Sequence, residues 1–425
     1  MPKKAWVFWG LAALFYCYQF VLRVSPNVIT QDLMRDFSVQ GCALGVLGAF
    51  YYKAYAAMQI PLGVLLDYYG PKRLIAVSCA VAAFGTYVFS SADTLHMASF
   101  GRAMMGAGAA CGFIGTLKLA TLWFPPERMG MVIGFTMVLG TLGATSAGAP
   151  LGYMVDHFGW RTSMGFVALM GIGLAVFITL IMREPKQKYV ERMAKVSDKD
   201  EGEDTYGLLD GLIVLLRSKQ AWLIALFGCL MYVPLAALAD LWGSLYLSER
   251  YGISSKHAAA VTSLLYVGVA VGAPAAMWFS DYFQSRKKVM FISAIAFFAV
   301  FSSLLYISQL PLFSMYGFMF LAGFCFSGQN LVFAMATERL PTQISGIAAA
   351  FTNMIVMLSG VVFEPLVGWL LDFKWQGLYT KTGAPHFTTA DFTFALSVIP
   401  LALLGAYLTL FFIRETYPSK IADPA

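Results

Sequence analysis

Twelve apolar runs, each about 20 residues or longer, recur along this 425-residue chain and leave few folds open. In lipid every backbone N–H and C=O must be satisfied within the protein, so only helices or closed barrels span it. The runs lack strict alternation of apolar and polar residues, which points to helices. The fold class expected is therefore an all-α membrane protein with twelve transmembrane helices. The spans fall near 5–30, 42–67, 73–92, 96–123, 129–155, 162–182, 220–247, 257–281, 288–309, 312–336, 344–371 and 390–413. Composition agrees, with 59% hydrophobic and only 12% charged residues, where a soluble domain carries roughly 25% charged.

The net charge of +6 does not point to nucleic acid, because the basic residues cluster in alternate loops. That asymmetry predicts both termini and the loops holding Lys72–Arg73, Arg128, 183–219, Arg286–Lys288 and Arg339 on the cytoplasmic side. The six cysteines, Cys17, Cys42, Cys79, Cys111, Cys229 and Cys325, lie inside apolar runs without metal-ligand spacing, so neither a disulfide framework nor a metal site is expected. Only one loop is long. The stretch 183–220 is dense in both charges and ends in "YGLLDGLIVLLRS", a candidate helix for the membrane surface. It divides the chain into a first bundle of six spans (1–185), a linker (186–219) and a second bundle of six (220–425).

The halves repeat. "ATLWFPPERMGMVIGF" at 120–135 matches "ATERLPTQISGIAAAF" at 336–351, and the same offset aligns Gly152 with Gly368 and Asp156 with Asp372. Two pseudo-symmetric six-helix bundles with a site between them are a transporter architecture.

The loop sequence "GVLLDYYGPKR", Gly63 to Arg73, resembles the G-x-x-x-D-x-x-G-x-[RK]-[RK] motif of the major facilitator superfamily. "RAMMGAGAA" resembles the R-x-x-x-G pattern of that family's fourth span, with Arg102 and Gly106 matching; "GAPLG" at 148–152 resembles the antiporter motif only in part. The chain is similar to this family over its whole length. The second copy of the loop motif departs from the pattern, with Met277 and Gln284 in place of glycines. Physically, Asp67 can face the positive N-terminus of span 11. Gly63, Asp67, Gly70, Lys72 and Arg73 are thus a candidate cytoplasmic latch between the bundles.

Charges inside the spans are the candidate machinery. Arg23, Lys53, Arg102 and Lys118 lie in the first half, Asp240 and Glu364 in the second. At 1.5 Å per residue, Lys53 lies about 21 Å from Asp67, and Arg23, Asp240 and Glu364 sit at comparable depths. A charge at mid-bilayer costs about 2.5–3.5 kcal/mol on insertion scales. The fold that the resemblance implies sets spans one and seven, and two and eleven, face to face. Arg23–Asp240 and Lys53–Glu364 are then the expected pairs across the interface, serving substrate or proton coupling and an outer gate. The plainer readings are interfacial snorkelling or interfacial water for Arg23, Lys53, Asp240 and Glu364, a structural role within the first half for Arg102, and reach to cytoplasmic phosphates for Lys118. Tyr16, Tyr55, Arg102, Lys118, Trp242, Tyr266, Gln329, Asn330 and Asn353 are candidate cavity-lining residues.

The function expected is secondary active transport of a small polar metabolite by alternating access, coupled to protons through a carboxylate whose charge partner changes. Cations on one wall suit an organic anion; acids on the other suit an amine, so an amino acid or peptide stands level with it. The alternatives are a drug or metabolite efflux antiporter and a non-transporting membrane sensor of the same fold. Four scattered histidines near span ends offer no convergent enzyme site, and no G-x-x-x-x-G-K-[ST] loop occurs. The expected partners are a small-molecule substrate, protons and the lipid bilayer, without cofactor or nucleic acid. A monomer in a bacterial inner membrane is expected.

Overall fold

The computed structural model of the chain describes residues 3–183, 208–307 and 310–418. Helices fill most of them. Ten helical stretches are long and apolar enough to cross a membrane. One of these, Glu127–Ile181, turns sharply at Gly159, whose φ of 75° suits glycine, and counts as two spans. Gly41–Tyr69 supplies the twelfth. The side on which span 2 begins and span 11 ends is called distal below. Residues 186–207 of the expected linker, and the side chain of Asp67 in the expected latch, lie outside what the structure describes.

Spans 1 and 7 change course where a proline removes a helical hydrogen bond. Span 1 runs Lys3–Val24 and resumes as Pro26–Asp36. Pro26 has no N–H, so the carbonyl of Leu22 loses its usual partner. Ser25 Oγ at 3.0 Å and Arg102 Nη1 at 2.8 Å donate to it instead. Span 7 begins as Lys219–Val233, widens to a π-helix over Pro234–Trp242, and continues as Gly243–Tyr251. Span 10 passes through a single 3-10 turn, Ser327–Asn330. Spans 2 and 3 (Pro71–Ser90) are separated by Gly70 at φ 76°.

Within each half, glycines bring backbones together, as expected where lipid gives helices no hydrophobic reason to associate. In span 4 (Leu95–Ala109 and Cys111–Trp123) a Cβ on Gly106 would collide with the carbonyl of Tyr51 in span 2. In span 10 a Cβ on Gly323 would collide with the carbonyl of Leu265 in span 8 (Ser255–Tyr282). These are equivalent contacts in the two six-helix bundles. Large apolar side chains such as Leu169, Met170, Leu180, Phe313 and Phe412 stay exposed on the outside, where lipid covers them. The surface-helix expectation has a described counterpart, Leu208–Arg217. Gly211 meets Ile344 and Ile347 of span 11 (Thr342–Lys374), Leu215 is buried, and Ile213 and Leu216 are exposed.

Candidate functional site

The two bundles meet along two seams related by the repeat. Spans 2 and 11 form one. The other joins span 5 (Pro126–Ser146, continued from Ala149 to the bend at Gly159) to span 8. Spans 1 and 7 cross between them. Hydrogen bonds tie the halves from the distal end inward. The Asp372 carboxylate accepts from the N–H groups of Gly41 and Cys42, both at 2.7 Å. Asn27 donates to Thr262 Oγ1 at 3.0 Å and accepts from the N–H of Ser244 at 2.8 Å. Thr30 donates to the carbonyl of Leu241 at 3.1 Å. Deepest of the described set, Asn353 Nδ2 donates to Gln59 Oε1 at 2.8 Å.

Arg23 sits in the middle of this arrangement, 3% exposed. Its Nη1 donates to Tyr232 Oη at 2.9 Å, and its Nε has no partner. Rings of Phe20, Tyr51, Tyr52 and Tyr55 surround the guanidinium, the nearest centroid 4.9 Å away. Cation–π contacts of this kind partly replace the water the charge has lost. Asp240 is equally buried in the π-helical stretch of span 7, and the hydroxyls of Tyr52 and Tyr266 donate to its two oxygens. Arg23 and Asp240 are thus neighbours in one polar cluster but not an ion pair. The expected direct ion pair is not formed: Arg23 bonds the Tyr232 hydroxyl, and Asp240 is held by the hydroxyls of Tyr52 and Tyr266.

The second expected pair does not form. Lys53 is exposed, its Nζ 5.1 Å from the Phe50 ring centroid. Glu364 is 1% exposed, and its Oε2 lies so close to Gly48 that a Cβ there would collide with it. The physical reason is azimuth. An α-helix turns about 100° per residue, and Gly41, Gly45, Gly48 and Tyr52 mark the line of span 2 that faces span 11. Lys53 falls roughly 120° away from Gly41 around the helix. The cation acting most strongly on Glu364 is Arg102, followed by Arg23; Asp240 acts on it with the same sign of charge.

The remaining candidates divide. Tyr16, Tyr55, Tyr266, Gln329, Trp242 and Arg102 are buried. Trp242 Nε1 donates to the carbonyl of Glu364 at 3.2 Å, and Arg102 holds the Leu22 carbonyl beneath the Tyr51 ring. Asn330 and Asn353 are half-buried; Lys118 is exposed on span 4. Of the latch residues, Gly63 and Arg73 are exposed and Lys72 is half-buried. Sequence reasoning missed Gln59, Asn27 and Tyr232. Gln59 was findable, since 18 residues from Gly41 returns it to the line that faces span 11.

The description of the Major Facilitator Superfamily matches residues 8–364 and 236–424. A "Probable hexose phosphate transport protein" of Chlamydia trachomatis is 22% identical over 413 residues, covering 89% of each chain. The "Membrane sensor protein UhpC" of Salmonella typhimurium is 23% identical, covering 87% of this chain and 86% of its own. Among solved structures, a bacterial homologue of the human lysosomal transporter Spinster, inward-facing and occupied, superposes with a TM-score of 0.76 at 17% identity. The match covers 97% of both chains.

Proposed function

The chain belongs to the major facilitator superfamily, and from that premise we propose that it is a secondary active transporter of small organic anions, coupled to protons and working by alternating access. One observation carries the reading. Arg23 is a buried cation between the two halves with an open donor and no carboxylate in direct contact. Burying an uncompensated guanidinium is costly, and an incoming carboxylate or phosphate removes that cost. Arg offers either group a planar fork of donors. The likeness to a hexose phosphate transport protein supports the same class.

Glu364 and Asp240 are the proton-coupling residues in this reading. Both are carboxylates shielded from water at the interface between halves. When the halves separate, Glu364 parts from the first-half charges of Arg102 and Arg23 and takes up a proton. The substrate on Arg23 and the proton on Glu364 then travel in the same cycle. Gly63, Asp67, Gly70, Lys72 and Arg73 latch the opposite end. The bacterial relatives support an inner-membrane location, with both termini cytoplasmic.

A second reading rests on Asp240, which faces Arg23 from the other half and suits the amine of an amino acid or peptide. The likeness to UhpC supports a third, a sensor that binds without transporting. Uptake into proteoliposomes under an imposed pH gradient, with radiolabelled gluconate and glucose 6-phosphate, separates them. The expected outcome is anion accumulation that Arg23→Gln weakens by roughly 10- to 100-fold. Glu364→Gln is expected to abolish accumulation driven by the pH gradient while leaving exchange measurable. Unaltered pH dependence in Glu364→Gln overturns the proton role. Binding without uptake in the wild type favours the sensor.

A further inference from the structure

We infer that a layer of amide donors, one helical turn from Arg23, forms a second subsite that selects anions bearing neutral oxygen atoms, such as hydroxylated acids and sugar phosphates. The inference rests on the reading of Arg23 as the anion anchor.

Two paths lead from Arg23 to that layer. Its guanidinium lies over Tyr55, and Gln59 follows Tyr55 one turn along span 2. Its Nη1 bonds Tyr232, and Gly228 precedes Tyr232 by one turn on span 7. Both steps run away from the distal end, by about 5.4 Å. The paths close on each other through span 11. Asn353 bonds Gln59, and Val356, one turn on, lies 2.8 Å from where a Cβ on Gly228 would stand. Gln329 of span 10 reaches the same place, with its Nε2 3.4 Å from that Cβ position.

Each glutamine amide has an unpartnered Nε2. Gln59 is fully buried; its Oε1 is taken by Asn353 and its Nε2 has no partner. Gln329 is 2% exposed, and its Nε2 has no partner either. Buried donors almost always find acceptors, so two open ones in one layer, each on a different half, ask for a ligand that supplies oxygen. Of the two buried carboxylates, Asp240 accepts from Tyr52 and Tyr266, and Glu364, whose Oε2 is open, lies about three turns from Asn353 along span 11. A hydroxyl or ether oxygen at roughly one turn from the charged head satisfies the layer. Asn353 is a positioning residue here, because it fixes which face of the Gln59 amide is free.

The test uses the purified full chain and three probes of similar length: gluconate, hexanoate and 6-aminohexanoate. Affinities come from thermal stabilisation titrations. Gluconate should bind at least about tenfold more tightly than hexanoate, one good hydrogen bond's worth, and 6-aminohexanoate weakest. Gln59→Leu and Gln329→Leu should each lower the gluconate-to-hexanoate ratio about tenfold, while Gln329→Asn, which keeps an amide donor, recovers part of it. An unchanged ratio in either leucine variant with wild-type melting behaviour overturns the inference, as does 6-aminohexanoate binding more tightly than gluconate. Should neither leucine variant fold, the ratio in Gln329→Asn decides: a value equal to the wild type counts against the subsite. If no anion binds at all, the Arg23 anchor fails first and takes the subsite with it, an outcome distinct from a flat ratio.

Discussion

The two seams between the halves occupy equivalent places in the repeat, yet they are built differently. Along spans 2 and 11, Gly41, Gly45 and Gly368 let backbone meet backbone, while Gly48 makes room for the Glu364 side chain and Gly360 for the Tyr52 ring; a Cβ on Gly45 or Gly368 would run into a carbonyl of the other helix. The distal end of that seam is closed by a carboxylate on a helix N-terminus, where it meets both open N–H groups and the positive end of the dipole. Along spans 5 and 8 the corresponding carboxylate, Asp156, reaches the side chain of Lys256 at 3.0 Å, with both partners about 40% exposed. Gly148 and Gly152 still meet span 8, at Ser263 and Lys256. One seam ends in a carboxylate bonded to backbone N–H groups; the other ends in an exposed ion pair between flexible side chains. The duplication preserved the position of the acid and changed what it holds.

The largest effect should come from filling the glycine seam. Gly45→Leu drives a side chain into the Glu364–Pro365 backbone and should destabilise the distal-closed state by more than about 3 kcal/mol. Cys42 lies in this seam, so its alkylation rate, followed by mass spectrometry, reads the opening directly. Slow alkylation of Cys42 in Gly45→Leu would mean that the seam does not need its glycines. Next comes Asp372→Ala, which removes two charge-assisted hydrogen bonds; a shift of about 2 kcal/mol toward opening is expected. Asp156→Ala should move the same equilibrium by less than about 1 kcal/mol, because exposed pairs are screened and pay side-chain entropy. Raising the salt concentration should erase its effect but not that of Asp372→Ala. Equal shifts from the two alanine variants would dissolve the distinction between the seams.

The smallest effect concerns Asp36, at the distal tip of span 1. Burial pushes its pKa up, but hydrogen bonds from Trp160, Arg161 and Arg35 outweigh that and hold it below the ordinary carboxylate value. A depressed folded-state pKa contributes stability above the unfolded value and loses it as pH falls through the folded one. Wild-type melting temperature should therefore drop more than that of Asp36→Asn as pH falls below about 4. Parallel curves would mean that the clasp contributes nothing.

Much of this was legible in the sequence, and the illegible part has a common cause. The spans, the duplication and the burial of Arg23, Asp240 and Glu364 follow from hydropathy and spacing, because depth in the membrane is a linear coordinate along the chain. Azimuth is not. Lys53 and Tyr52 are adjacent in sequence, but only Tyr52 faces the other half; the glycine line that reveals this had to be read as a helical stripe. Partner choice was hidden for a different reason. Tyr266 was a cavity candidate and Tyr232 was missed, but nothing in the spacing of Tyr52, Tyr232 and Tyr266 says that their hydroxyls take the places opposite Asp240 and Arg23. The Leu22 carbonyl freed by Pro26 was implicit in the sequence; that Arg102 answers it was not.

The break at Ser25 has one more consequence. Beyond it, the 26–36 segment is claimed by both halves: Asn27 and Thr30 at its base bond spans 7 and 8, and Asp36 at its tip is gripped by Trp160 and Arg161 of the first half. In the proposed transport cycle the two halves part, and this segment cannot then stay bonded to both. Opening in that cycle therefore costs either the bonds at its base or the grip on its tip, and this short piece of helix ties the cost of opening to which half it follows.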